Sequence, residues 1–223
     1  MLETEGFQLV RQVVPQPELE PLRTEADRLA LVYPGEVQGI RDLLQRSALI
    51  RDLTFRPWLT ALVPEGAVCV RGILFDKIPG ANWLVAWHQD LTICVKREID
   101  TPGYGPWSVK HGVPHVQPPV SLLNQMTTIR LHLDPTHGSN GALKVLPGSH
   151  LHGRLDAEAI AACRERTAEV TCEAEPGDAL LMKPLLLHAS SKAESPSHRR
   201  VIHLEFAPPG ALAEGLSWYE SAL

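Results

Sequence analysis

The chain has 223 residues, an apolar fraction of 44% and a net charge of −5. This length fits one domain with a sizeable core, and an acidic chain with no Lys/Arg cluster lacks a general attraction to nucleic acid. No apolar run approaches the roughly 20 residues that span a bilayer, and the first residues lack the pattern of a secretory signal. We therefore expect a cytoplasmic single domain that binds neither nucleic acid nor membrane, with its oligomeric state left open.

Helical patterns come first along the chain and strand patterns follow. Apolar residues recur every three or four positions over 17–32 and 37–53, which predicts a helical part over about 15–65. From 68 to about 208, short apolar runs are separated by turns rich in Pro, Gly and Asn, as in an all-β sandwich or barrel. One more helix is predicted over 154–170.

Two of the strand-like runs, 127–134 and 199–206, alternate between apolar and polar residues. The apolar positions are Ile129, Leu131, Leu133, Ile202, Leu204 and Phe206. The opposite positions are Thr128, Arg130, His132, Asp134, Arg199, Val201, His203 and Glu205. The polar face of such a strand usually meets solvent, but it faces the lumen when helices cover the outside of a barrel.

The stretch "NWLVAWHQDLTI" (82–93) places a histidine and an aspartate two residues apart. On a strand His88 and Asp90 share one face, while Gln89 points away. Two imidazoles and one carboxylate form the facial triad that holds non-haem iron and leaves positions open for other ligands. His188, in "KPLLLHASS", is the candidate for the third ligand.

Arg199 opens a strand eleven residues after His188. A dicarboxylate that chelates iron at one end needs its far carboxylate held, and a guanidinium matches a carboxylate with two parallel hydrogen bonds. H-x-D alone is common by chance. With the later histidine and arginine it becomes a strong pattern.

Four segments together resemble the phytanoyl-CoA dioxygenase-like family of iron(II)- and 2-oxoglutarate-dependent oxygenases. They are "WHQD" (87–90), "NGALKVLPGSH" (140–150), "PGDALLMKPLLLHAS" (176–190) and "HRRVIHLEF" (198–206). The resemblance implies a mainly β chain with flanking helices, a double-stranded β-helix (a cupin-like jelly roll), as one oxygenase domain over 1–223 with its core at about 68–208. It also implies that His88, Asp90 and His188 bind Fe(II), and that Arg199 binds the cosubstrate 2-oxoglutarate, with O2 as the third reactant.

Further positions follow from the same resemblance or from the polar strand faces. Beside the cosubstrate the resemblance places Arg130, Ile73 and Gln89. Family members often carry an aromatic or hydroxyl residue at the position of Arg130, so two roles stay open for it: binding 2-oxoglutarate, or binding an acidic group of the substrate. Candidate contacts to the substrate are Arg41, Lys77, Trp107, His132 and His203. Since the predicted inner face is unusually polar, we expect a polar or anionic substrate rather than a long acyl chain. The segment 102–119 is predicted to be a long loop beside the iron.

The predicted function is hydroxylation of a small organic molecule, with release of succinate and CO2. Asp90 argues against a halogenase, since the resemblance implies that halogenating relatives carry a small residue there. Desaturation, ring formation and epimerisation stay open. Two alternatives from other classes are a non-catalytic cupin-like module that binds a metal or ligand, and a zinc hydrolase, which leaves Arg199 without a role.

Overall fold

The computed structural model describes residues 1–36, 38–78, 80–194 and 197–222. Its α-helices are α1 (Leu2–Glu5), α2 (Gln16–Val32), α3 (Leu43–Arg46), α4 (Ala48–Leu53), α5 (Pro57–Thr60), α6 (Val120–Gln125) and α7 (Ala157–Arg166). Its strands are β1 (Phe7–Val10), β2 (Val68–Asp76), β3 (Val85–His88), β4 (Ile93–Cys94), β5 (Trp107–Lys110), β6 (Val113–Val116), β7 (Thr127–His132), β8 (Leu143–Val145), β9 (Val170–Cys172), β10 (Ala179–Met182), β11 (His188–Ser190) and β12 (Arg200–Ala207). Within these ranges no helix is both long and apolar enough to cross a membrane.

The strands form three antiparallel sheets. The major sheet has the order β1-β10-β7-β12-β2, the minor sheet β3-β11-β8-β9, and a third sheet β4-β6-β5. Residues from the major and minor sheets line one cavity between them. The predicted class, a mainly β jelly roll with flanking helices, is confirmed.

The outer face of the major sheet is apolar and is covered by α2. Leu19, Leu22, Ala26 and Leu29 recur at helical spacing and are buried in the same core cluster as the apolar positions of β7 and β12. Helices therefore cover the outside of the barrel, and the polar positions of β7 and β12 face its lumen. Of the two interpretations of the alternating strands, the lumen is the one the structure shows.

The helical prediction is accurate for α2 and for α7, but not for the segment between α2 and β2. Over 37–53, whose first residue lies outside the described residues, the structure has only the short helices α3 and α4. Ile40 instead exchanges two backbone hydrogen bonds with Leu74 at 2.8 and 2.9 Å, and Asp42 adopts a φ of 58°. Pairing with the edge of β2 overrides the local helical pattern.

The segment predicted as a long loop contains a β-hairpin, so this prediction is wrong. Strands β5 and β6 pair in register, with Lys110 opposite Val113, and the turn residues His111 and Gly112 have φ values of 52° and 79°. Proline inside a run normally argues against a central strand. Here Pro114 still joins the sheet through its carbonyl, which accepts from the backbone N of Val95 at 3.1 Å.

Candidate metal centre and its cavity

Sheet register brings the two distant histidines together. His88 ends β3 and His188 begins β11, and the two residues lie directly opposite each other in the antiparallel pair. Their ring centroids are 4.1 Å apart. Asp90 follows two residues after His88, and its backbone N donates to the carbonyl of Pro184 at 2.9 Å. Two paired strands and the segment that follows β3 thus form one cluster from residues 100 apart in sequence.

The three side chains converge without bonding to one another. The Nε2 atoms of His88 and His188 each lie 3.7 Å from an oxygen of Asp90, too far for a hydrogen bond. One ligand atom from each residue lies within 4.8 Å of the others. Within the described ranges this is the only group of three or more His, Cys, Asp or Glu residues arranged to hold a metal ion.

Backbone hydrogen bonds set the tautomer of both histidines. Nδ1 of His88 lies 2.9 Å from the carbonyl of Ala86, and Nδ1 of His188 lies 2.9 Å from the carbonyl of Leu186. A carbonyl can only accept, so each Nδ1 carries the proton and each Nε2 presents a lone pair towards Asp90. This arrangement is typical of metal-ligating histidines, and the donor set fits a divalent iron ion.

The protonation states also suit a metal. Burial lowers the pKa of His188 to about 4, so its imidazole is neutral at physiological pH. Burial alone would raise the pKa of Asp90, but the neighbouring His188, His203 and Arg71 help to hold that pKa below its ordinary value. His188 is therefore neutral and Asp90 is ionised, which are the forms that bind a cation.

Gln89 points away from the metal ligands, as strand geometry predicts. Its amide nitrogen donates to the carbonyls of Gly153 and Leu185, both at 2.7 Å, and its amide oxygen accepts from the backbone N of Leu155 at 2.9 Å. The sequence suggested a place beside the cosubstrate. Instead, Gln89 ties the segment between the two ligands to the loops before α7 and β11.

The metal cluster opens into a cavity of about 470 Å³. Four cationic side chains line it: Arg41, Lys77, Arg130 and Arg199. Asp90 is the only carboxylate among the described residues of the lining. The cavity lining is thus mainly cationic, and five of the predicted site residues, these four and His203, do meet there with the metal cluster.

At one side of the cavity, Lys77 and Arg199 converge beside Gly141. Arg199 donates to the carbonyl of Gly141, and Lys77 donates to Ser190 Oγ at 2.7 Å and to the carbonyl of Ser191. Burial, reinforced by repulsion from other cations of the cavity, lowers the pKa of Lys77 to about 8 and that of Arg199 to about 9. An anion placed here would relieve the repulsion between them.

Arg130 lies on β7 at another part of the lining. Its Nη1 donates to His203 Nδ1 at 3.1 Å, and its Cζ lies 5.4 Å from the ring centre of Phe75. His203 Nε2 lies 3.3 Å from Glu205, which in turn forms an ion pair with Arg71 at 3.1 Å. Burial lowers the pKa of Arg130 to about 10.

Three other predicted residues lie outside the cavity lining. Ile73 is buried opposite His203 on the inner sheet face. His132 is buried and bonds through Nδ1 to Thr136 Oγ1 at 2.9 Å, and burial lowers its pKa to about 3. Trp107 packs against an apolar cluster around Val116.

Sequence reasoning overlooked several lining residues. Ser190, Phe75, Trp83 and Leu84 all line the cavity. Ser190 could have been found, because it lies two residues after His188 on a strand and therefore shares its face. Trp83 and Leu84 precede β3 in an irregular segment, where no periodicity indicates which way a side chain points.

Several solved structures have a similar fold. AviO1 from Streptomyces viridochromogenes Tue57 is 22% identical, covering 95% of this chain and 94% of its own, with a TM-score of 0.70. EctD from S. alaskensis with bound Fe is 18% identical over 93% and 74%, with a TM-score of 0.71. The epimerase SnoN in complex with Fe3+, alpha ketoglutarate and nogalamycin RO is 17% identical over 97% and 91%, with a TM-score of 0.71. At these identities the similarities establish the fold alone. A comparison of the sequence with curated proteins found no match.

The fold and the His-Asp-His cluster together define a jelly-roll protein with the ligand set of a mononuclear non-haem iron centre. The phytanoyl-CoA dioxygenase (PhyH) family model matches residues 2–201. The chain belongs to this family, and the resemblance noted in its sequence is confirmed.

Proposed function

We propose that this protein is an iron(II)- and 2-oxoglutarate-dependent dioxygenase that hydroxylates a small polar or anionic organic molecule. One observation carries the proposal: a His-Asp-His cluster with fixed tautomers shares a single cavity with the converging side chains of Lys77 and Arg199. The cluster suits the iron, and the two cations suit the far carboxylate of a dicarboxylate cosubstrate.

Each residue has a defined task in this proposal. His88, Asp90 and His188 would hold the iron through two Nε2 atoms and a carboxylate oxygen, and bound iron would supply the activation of O2. Arg199 and Lys77 would hold the distal carboxylate of 2-oxoglutarate. Overall, one atom of O2 would enter the new hydroxyl group and the other would enter succinate, while the cosubstrate loses CO2.

Succinate release by the purified protein with iron(II), ascorbate, 2-oxoglutarate and air tests the assignment. We expect slow release that depends on iron and O2, and loss of that release in His188→Ala, because one of the three ligands is gone. His152→Ala is the matched control, since His152 is exposed on a short 3₁₀ turn and should leave the rate unchanged. Equal release by wild type and His188→Ala, or none from either with any substrate offered, would refute the oxygenase assignment.

Product mass tests hydroxylation and substrate class. A panel of small polar acids and acyl thioesters, incubated under 18O2, should give labelled hydroxylated products from acids. Products that have lost two hydrogens would indicate desaturation or ring formation. Products that keep the mass of the substrate would indicate epimerisation. Activity on thioesters alone would contradict the proposed polar substrate.

The non-catalytic alternative makes the opposite prediction for the same assay. A cupin-like binding module would bind iron and 2-oxoglutarate with no formation of succinate. A zinc hydrolase would cleave an ester or amide without O2, and the paired cations Lys77 and Arg199 would have no role in that reaction.

A further inference from the structure

Arg130 is a buried cation that faces the cavity without an anionic partner of its own. Only 6% of its surface is exposed, yet it lines the cavity that contains the metal ligands. Its Nη1 is used by His203, while its Nε is buried with no hydrogen-bond partner among the described residues. An unsatisfied buried donor costs about 1–3 kcal/mol, so such a group is expected to have a function.

A chain of inner-face residues holds this guanidinium in place without neutralising it. His203 Nδ1 accepts from Arg130, so its Nε2 carries the proton and donates to Glu205. The charge of Glu205 is in turn balanced by Arg71. Phe75 packs beside both Arg130 and His203. Arg130 is therefore oriented in advance, which is the arrangement that lowers the entropic cost of binding a ligand.

The charges of the cavity leave Arg130 free after the cosubstrate binds. An iron(II) ion and a 2-oxoglutarate dianion cancel each other, so the four cationic side chains still face one carboxylate, Asp90. Lys77 and Arg199 lie together at the turn that contains Gly141 and serve one end of the dicarboxylate. Arg130 and Arg41 remain for something else.

We propose that Arg130 is the receptor for an oxyanion, a carboxylate or a phosphate, on the substrate itself. This inference rests on the proposed function and names its substrate class: an organic acid or phosphate ester whose body contacts Trp83 and Leu84, which line the same cavity. Leu84 is 62% exposed at this site, so an apolar group there would be covered on binding. A guanidinium fork matches both oxyanions with paired hydrogen bonds.

The test uses protein loaded with iron(II) and 2-oxoglutarate under anaerobic conditions, so that no turnover occurs. Benzoate, phenyl phosphate and neutral benzamide are titrated by calorimetry into wild type, Arg130→Met, Arg130→Lys and Arg97→Met. Arg97 is exposed and lies outside the cavity lining, so it serves as the matched control. The Kd of 2-oxoglutarate is measured for each variant in parallel.

We expect wild type to bind benzoate or phenyl phosphate more tightly than benzamide. Which of the two anions binds more tightly tells whether the site recognises a carboxylate or a phosphate. Arg130→Met should raise the Kd of that anion by about 30-fold, as for loss of one partner of a buried charged pair. The Kd values of benzamide and 2-oxoglutarate should change by less than about threefold. Arg130→Lys should recover part of the affinity, and Arg97→Met should match wild type.

Two outcomes would overturn the inference. If wild type shows no preference for either anion over benzamide, Arg130 is not an oxyanion receptor for substrate. If Arg130→Met weakens the binding of 2-oxoglutarate as much as it weakens the binding of the anion, Arg130 belongs to the cosubstrate site. A wild-type protein that binds no 2-oxoglutarate would instead refute the proposed function, and with it this inference, before any probe is added.

Discussion

Gly141→Ala is expected to damage both stability and cosubstrate binding, because this glycine allows two cations to approach one turn. Gly141 has a φ of +83°, and a Cβ there would lie 2.8 Å from both Lys77 Nζ and the carbonyl oxygen of Ser191. The left-handed backbone costs an alanine about 1–2 kcal/mol, and the close contacts add about 1–3 kcal/mol. The melting temperature should therefore fall by at least about 4 °C.

Gly141→Ala should also weaken the binding of 2-oxoglutarate. The carbonyl of Gly141 accepts from Arg199 and from Ser190, and a displaced Lys77 would lose its hydrogen bonds to Ser190 and Ser191. Loss of one charge-assisted hydrogen bond, about 1.5–3 kcal/mol, corresponds to a rise in Kd of about tenfold to a hundredfold. Calorimetry with iron(II)-loaded protein measures it.

Gly210→Ala is the matched control for this experiment. Gly210 has a φ of +66°, and a Cβ there would have no atom within 4 Å, so it isolates the backbone cost. We expect a loss of about 1–2 kcal/mol and an unchanged Kd for 2-oxoglutarate. If both alanine variants lose the same stability and both bind 2-oxoglutarate normally, the argument from close contact at Gly141 is wrong.

Three further predictions concern Arg199, Gln89 and Asp178. Arg199→Met should raise the Kd of 2-oxoglutarate about 30-fold or more with little change in iron binding, and equal losses of both by titration would contradict its role. Gln89→Ala should lower the free energy of unfolding in urea by about 1–3 kcal/mol, because buried backbone groups lose their partner. It should also weaken iron binding; an unchanged iron affinity would show that the hydrogen bonds of Gln89 do not position the metal ligands. Burial would raise the pKa of Asp178, but backbone N–H donors and Arg11 hold that pKa below its ordinary value. The ionised Asp178 therefore stabilises the fold at pH values above the unfolded pKa of about 4, and this stabilisation is lost as the pH falls through the pKa of the folded state. Asp178→Asn should therefore be less stable than wild type at pH 7, by about 1.5–3 kcal/mol, with a gap that narrows below about pH 4; a constant gap in urea unfolding would refute this.

The candidate ligands could be predicted from sequence because the pattern depends on short spacings. His88 and Asp90 share a face whenever their segment is extended, and Arg199 follows His188 at a spacing that the family resemblance makes specific. Helix α2 and the alternating strands were equally accessible, since burial of one face imposes a period that a window of a few residues reveals. The 102–119 hairpin was not, because its prolines suggest a loop when their neighbours are unknown.

The sequence by itself therefore determined the chemistry that is available: two imidazoles, one carboxylate and several cations at strand-like positions. Only the tertiary structure decided which of them meet. The register of β3 against β11 places His88 opposite His188, and packing of α2 on the major sheet makes the polar face of β7 the lumen. Arg130 acquires its partner His203 from a strand 73 residues away. Periodicity is local and carries no information on such pairings, which arise when the whole sheet is assembled and its apolar face is buried.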